Sequence, residues 1–186
     1  PRKYYYASYI NDLDFGQNYY GEVSMDNVFA LALRKANVPI KFMKVSESRF
    51  EYFSESRSGF SIKPTFIQKI YSPLRNLIPA DSFQVNNGRN PLTTVEVGIR
   101  LRYAYLEKFL ENNFFRTSLG SPYPIGELNI VKGVSGILKS NYNYVKIAAS
   151  VSDYFKIPPF GNISLVLYGG KTFGTLPYVL LDIAPG

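Results

Sequence analysis

A chain of 186 residues is long enough for one domain and does not demand two. It is 46% hydrophobic with a mean hydropathy of -0.10, and it holds no run near the roughly 18 apolar residues of a membrane helix; that excludes a helical membrane protein but not a barrel, whose hydrophobicity is spread over alternate positions. The formal charge of +7 comes from basic residues scattered at strand spacing, which speaks against nucleic acid as a partner, while zero Cys removes thiolate chemistry and zero His removes imidazole catalysis and imidazole metal sites.

In chain order, residues 3–10 (KYYYASYI) are aromatic and strand-prone, and 11–16 (NDLDFG) read as a loop. Asp12-x-Asp14 lacks the next oxygen ligand of a calcium loop, because Gly16 stands there, so a polar turn is expected. Residues 25–37 (MDNVFALALRKAN) are the one helix candidate, capped by Asp26 or Asn27, although Phe29, Leu31 and Leu33 also alternate and leave a strand open. From Val45 alternation resumes: Phe50 and Tyr52 share a face, and Arg49, Glu51, Glu55 and Arg57 occupy the other, with Phe53 among them. Ser56 to Gly59 (SRSG) form a tight turn, after which Phe60, Ile62, Pro64, Phe66 and Ile70 oppose Ser61, Lys63, Thr65 and Lys69. Pro64 cannot donate to a ladder and must sit at a bulge or beside an unpaired position. Residues 71–91 form a Pro- and Asn-rich loop of roughly twenty residues, unusual in a compact soluble domain and ordinary on the outside of an outer-membrane barrel.

The most informative stretch is 93–106 (TTVEVGIRLRYAYL). Alternate residues separate into Val95, Val97, Ile99, Leu101, Tyr103 and Tyr105 on one face and Glu96, Gly98, Arg100 and Arg102 on the other. Its length fits the ~9–11 residues of a tilted membrane strand better than the ~5–6 of an ordinary globular one. A soluble sandwich or lipocalin-like barrel shows the same alternation and stays open on this segment alone. Further strands are expected at 125–138, at 142–157 and from Ile163 to Phe173. In the second, Val145, Ile147, Val151 and Phe155 alternate with Lys146, Ser150, Ser152 and Tyr154. Short turns fall at 139–141 and 157–162, and residues 178–183 (YVLLDI) are apolar on consecutive positions.

Motifs of chemistry are weak. Gly170-Lys171-Thr172 ends like a phosphate-binding loop, but Leu165 stands where the first glycine belongs and Pro177 follows where a helix should open. Asn162-Ile163-Ser164 is a glycosylation sequon by pattern only, and Glu51 and Glu55 most simply neutralise Arg49 and Arg57. No catalytic residue, cofactor or metal site is expected, and an enzyme is the least favoured class.

Several blocks, namely DNVFALALRK, SRFEYFSESRSGFS, RTSLGSPYP, NYNYVKIAAS and most specifically GGKTFGTLPYVLLDIAPG, carry a family likeness over nearly the whole chain. The chain resembles the barrel region of a large Bacteroidota outer-membrane family of unknown function. Its members usually carry an N-terminal carboxypeptidase-regulatory-like domain and are similar to surface-antigen barrels of outer-membrane assembly. Members typically have a His where Ala184 stands and continue past Pro-Gly. The resemblance therefore implies that residues 1–186 are part of one outer-membrane barrel domain, with closing strands and a periplasmic domain elsewhere in a longer polypeptide.

The expected fold is thus all-β: six or seven long antiparallel amphipathic strands of a transmembrane barrel, long loops, one short helix, and no closure by these strands alone. Glu96, Arg100, Arg102, Lys146, Ser150 and Ser152 form the lumen-facing row. Gly169, Gly170, Gly174, Pro177 and Asp182 mark either an inner, gating segment or one more membrane strand. The expected partners are the lipid bilayer of the bacterial outer membrane, further strands of the same polypeptide and other envelope proteins. The expected role is translocation, assembly or anchoring, against a soluble β-barrel or sandwich that binds an apolar ligand.

Overall fold

A computed structural model describes residues 2–14, 18–19, 43–73, 92–112, 116–159, 161–174, 176, 180 and 182–183. The helix expected at 25–37, most of the 71–91 connection and Pro177 lie outside the described residues. Among the described residues eleven strands follow one another: β1 (Arg2–Asp14), β2 (Asn18–Tyr19), β3 (Met43–Glu55), β4 (Phe60–Pro73), β5 (Leu92–Tyr103), β6 (Lys108–Glu111), β7 (Arg116–Gly120), β8 (Ile125–Gly133), β9 (Tyr144–Ile157), β10 (Gly161–Phe173) and β11 (Asp182–Ile183). The fold is an all-β sheet of seven antiparallel strands in the order β1-β3-β4-β5-β8-β9-β10, open at β1 and β10, with β6–β7 and β2–β11 as two small separate pairs.

The seven long strands run from 9 to 14 residues. They continue through places where composition suggested loops. Asn11 and Asp12 extend β1 against Ser46 and Val45, and Tyr71 extends β4 against Leu92, because a paired neighbour satisfies the backbone that a turn would otherwise have to satisfy locally. Conversely, β8 stops at Gly133 rather than at Leu138. Leu138 (φ 48) and Lys139 (φ 66) turn the chain with Gly136, closed by Gly136 N–H to Ser140 O and Ser140 N–H to Ile137 O, each 2.8 Å. Pro64 sits where the β3–β4 ladder lapses, between the pairs Glu51–Thr65 and Ser54–Ile62, as its missing N–H requires.

The register fixes two faces. On one lie Glu47, Arg49, Glu51, Lys63, Lys69, Glu96, Arg100, Arg102, Glu127 and Lys146; on the other lie Phe50, Phe66, Val97, Ile99, Leu101, Leu128, Ile130, Ile147, Val151, Ile163, Leu165 and Leu167. The apolar face is bare over most of its extent: Val97 is 48% exposed and Leu167 62%. Val95 shares that face but is buried; its N–H donates to Ser140 Oγ at 3.2 Å and its carbonyl accepts from Val134 N–H at 2.9 Å, so the 134–140 connection continues the ladder there.

The sheet has two rims. The tight turn at Ser56 to Gly59, the connection from β5 to β8 and the turn between β9 and β10 share the hairpin rim. Gly59 (φ +83) is confined there, since a Cβ would lie 2.1 Å from the Ala104 carbonyl oxygen. At the opposite rim, called the strap rim after the chain that returns there with Leu176 and Leu180, lies the hydrophobic core of Val45, Tyr71, Leu92, Tyr142, Tyr144 and Leu180, with Leu176 packed against it. Register places Val45, Tyr71, Leu92 and Tyr144 on the charged face. The chain beyond β10 therefore lays Leu176 and Leu180 across that face. It then pairs β11 in parallel with β2, which follows β1 at the other edge of the sheet.

Candidate functional site

The charged face is an array of paired ions built by alternation. In β3, Arg49 bridges Glu47 (2.6 Å) and Glu51 (3.1 Å), its neighbours two residues either way on the same face. Strand β4 supplies Lys69 to Glu47 (3.1 Å) and Lys63 to Glu51 (3.4 Å), so two carboxylates share three cations. Farther along the sheet, Glu127 of β8 receives Arg100 at 2.5 Å and Arg102 at 3.1 Å. Fully exposed pairs contribute roughly 0–1 kcal/mol each, but these are half-buried, with Glu47 and Glu51 largely covered. Removing one partner from a half-buried set costs more, because the other charge is left unpaired.

At the hairpin rim the β6–β7 hairpin folds back onto this face. Glu107 accepts two hydrogen bonds from Arg102, at 2.6 and 2.7 Å, and one from Ser118 at 2.5 Å. Arg116 pairs with Glu55 at 2.6 Å and with Glu111 at 2.9 Å, and its guanidinium lies 3.4 Å over the Phe109 ring. A cavity of about 280 Å³ opens beneath, lined by Glu55, Arg57, Tyr105, Glu107, Phe109 and Arg116 among others. Burial alone would push the Glu107 carboxyl up; the Arg102 and Ser118 hydrogen bonds and the Arg102 and Arg116 charges more than offset this and hold it below its ordinary value. At the other rim burial pushes the Tyr142 hydroxyl up.

The expected row comes together. Glu96, Arg100, Arg102, Lys146, Ser150 and Ser152 all lie on the charged face. Glu96 accepts a short hydrogen bond from the Tyr144 hydroxyl, and Lys146 Nζ stands 5.6 Å from the centre of the same ring. Ser150 lies across from Glu127, and Ser152 across from Ile125.

The expected glycine-rich segment divides. Gly169 and Gly170 are ordinary residues of edge strand β10, opposite Ala149 and Ala148, and Gly170-Lys171-Thr172 is extended rather than a loop opening a helix. Gly174 (φ +117) needs its freedom, because a Cβ would meet the Asn143 carbonyl oxygen at 2.9 Å. Asp182 belongs to β11, outside the seven-stranded sheet.

Sequence reading passed over Glu127, Tyr144, Glu107 and Arg116, and marked Leu180 only as part of the apolar run 178–183. Glu127 was findable, since Ile125, Glu127, Asn129 and Val131 alternate with Gly126, Leu128 and Ile130. Tyr144 and Arg116 act through Glu96 and Glu55, 48 and 61 positions away, and nothing local marks them; Glu107 meets Arg102 five positions off, but it lies between strands where no alternation marks it.

Residues 62–182 match one family model, described as the C-terminal domain of a family of unknown function (DUF5686). No curated protein and no solved structure matches the chain.

Proposed function

The chain belongs to the DUF5686 C-terminal domain family, and from that premise we propose that it forms part of the wall of a transmembrane β-barrel in the outer membrane of Bacteroidota, with a non-enzymatic role in translocation, assembly or anchoring of envelope components. One observation carries the reading: a single register gathers the paired ions on one face and leaves a broad apolar face exposed across strands of membrane-spanning length. The apolar face meets lipid and the charged face lines the lumen. The opposite orientation would set Arg100 and Arg102 against hydrocarbon at roughly 2–4 kcal/mol each near mid-bilayer.

Unpaired backbone in hydrocarbon costs several kcal/mol per group, so β1 and β10 pair with further strands, from the same polypeptide or from other envelope proteins. Leu176 and Leu180, packed on the charged face, lie inside the lumen at its rim and mark the inner, gating segment. Among the described residues the lumenal ions interleave both signs, two carboxylates with three cations in one cluster and one carboxylate with two in the other, so the wall offers a passing ion a modest positive excess rather than a large field. That suits a protein that holds or hands on envelope components better than an ion-selective pore.

Spin labels at positions 97, 99, 100 and 102 of the protein in bilayers test the facing: lipid-accessible signals at 97 and 99 with protection at 100 and 102 are expected, and the reverse pattern overturns it. Recovery in a carbonate-washed outer-membrane pellet is expected as well. A soluble pool would favour the rival reading, in which the apolar face turns inward around an apolar ligand.

A further inference from the structure

The corner of the apolar face where β8, β9 and β10 reach the strap rim carries an unusual set of side chains. Lys132 of β8 pairs across Val145 of β9 with Phe173 of β10, and one row down Ile130 pairs across Ile147 with Lys171. Neighbouring strands are ~4.7–4.9 Å apart, so these cations share one small patch. Lys171 Nζ sits 5.1 Å from the centre of the Phe173 ring. Directly beyond lies the Gly136 to Ser140 turn. Its tip presents Ile137 and Leu138, 50% and 53% exposed, beside exposed Lys139.

The turn holds this arrangement. Leu138 and Lys139 both take left-handed backbone, which residues other than Gly and Asn adopt rarely. Ser140 is buried and pins the turn to β5 through the Val95 N–H. Two aliphatic side chains, Ile137 and Leu138, are thus presented outward and half-exposed on a turn that takes left-handed backbone at two non-glycine residues. Among the described residues, the only acid on the apolar face is Asp153, opposite Leu165 toward the hairpin rim.

We propose that this corner, Lys132, Lys139 and Lys171 around Ile137, Leu138 and Phe173, binds the anionic phosphates of lipid headgroups at the bilayer interface. The inference rests on the membrane reading above and adds which rim and which lipid chemistry. The aliphatic tip enters the acyl boundary, the aromatic ring lies at headgroup level, and the lysine stems run along the apolar face while their ammonium groups reach the phosphates.

The test uses the full-length protein and vesicles of neutral phosphatidylcholine with or without phosphatidylglycerol. Wild type is expected to partition more strongly into the anionic vesicles, an advantage that shrinks with salt. Replacing the three lysines together (Lys132→Gln, Lys139→Gln, Lys171→Gln) should remove about fivefold per charge, roughly a hundredfold in all, while leaving partitioning into neutral vesicles intact. A control with the same charge change at exposed sites elsewhere (Lys3→Gln, Arg57→Gln, Lys108→Gln) should keep the preference. Leu138→Asn, which suits left-handed backbone, should keep the turn and weaken partitioning into both vesicle types about tenfold. An undiminished anionic preference in the triple variant, or an equal loss in the control, overturns the site. Competition by millimolar inorganic phosphate at fixed ionic strength would make it a free-phosphate site and likewise overturn the proposal. Failure of wild type to enter either vesicle would instead overturn the membrane reading beneath it.

Discussion

Gly133 and Tyr144 make the sharpest test of the sheet's register. They are direct partners in the β8–β9 ladder, and the Tyr144 ring lies over the bare glycine. A Cβ at Gly133 would stand 2.2 Å from Tyr144 Cε1 and 2.5 Å from Cδ1 and Cζ. The ring cannot simply swing away. Tyr144 is 2% exposed, packs in the core with Leu92 and Leu180, and donates its hydroxyl to Glu96. Gly133→Ala is therefore an overpacking change of about 1–3 kcal/mol, rising by a further ~1.5–3 kcal/mol where the ring moves far enough to lose the carboxylate. The measurement is urea unfolding of the detergent-solubilised protein by far-ultraviolet circular dichroism, run as a double-mutant cycle with Tyr144→Ala. In the Tyr144→Ala background, Gly133→Ala should cost less than about 0.5 kcal/mol, since the clash is gone and the alanine restricts the unfolded chain. Additive effects in the two backgrounds would show that the ring does not cover the glycine, and the register of β8 on β9 would then be wrong.

Leu180→Ala removes a fully buried side chain from the strap-rim core and should destabilise by about 2–5 kcal/mol, with protease cleavage next to position 180 rising in limited digestion; an unchanged digestion pattern would show that Leu180 is not seated on the charged face. Val97→Arg places a cation at the middle of the apolar face and should reduce membrane assembly by roughly 2–4 kcal/mol, whereas Thr65→Arg on the charged face should be tolerated; equal effects in a vesicle-folding assay would contradict the facing. Glu107, which latches the β6–β7 hairpin to the sheet through Arg102 and Ser118, should respond to acid. Its folded pKa lies below the ordinary 4.5, so its stabilisation is complete above that value and is lost as pH falls through the lowered one. Hairpin proteolysis should therefore stay flat from pH 7 to pH 5 and rise only below pH 4.5, and Glu107→Gln should be loose at every pH; a rise between pH 7 and pH 5 would argue against the latch.

The amphipathic strands were readable because the information is local. A strand turns successive side chains to opposite sides, so Val97, Ile99 and Leu101 are parted from Glu96, Arg100 and Arg102 by their own order along the chain. The same argument found the Ser56 to Gly59 turn and Pro64's lapse in the ladder. Strand ends were less readable, because Asn11, Asp12 and Tyr71 belong to turn-rich sequence and are kept extended by partners that composition does not announce. Partner choice is where the tertiary structure alone decides. Arg116 meets Glu55 across 61 positions, Tyr144 meets Glu96 across 48, and Arg100 meets Glu127 across 27. Residues 178–183 showed by their unbroken hydrophobicity that they had to be buried, but not where. The choice between a wall strand and an inner strap depends on whether β10 or the strap-rim core offers the better burial for Leu180. That comparison exists only once Val45, Tyr71, Leu92 and Tyr144 have been brought side by side on four different strands. Alternation is a property of neighbours in the chain, whereas pairing is a property of neighbours in space.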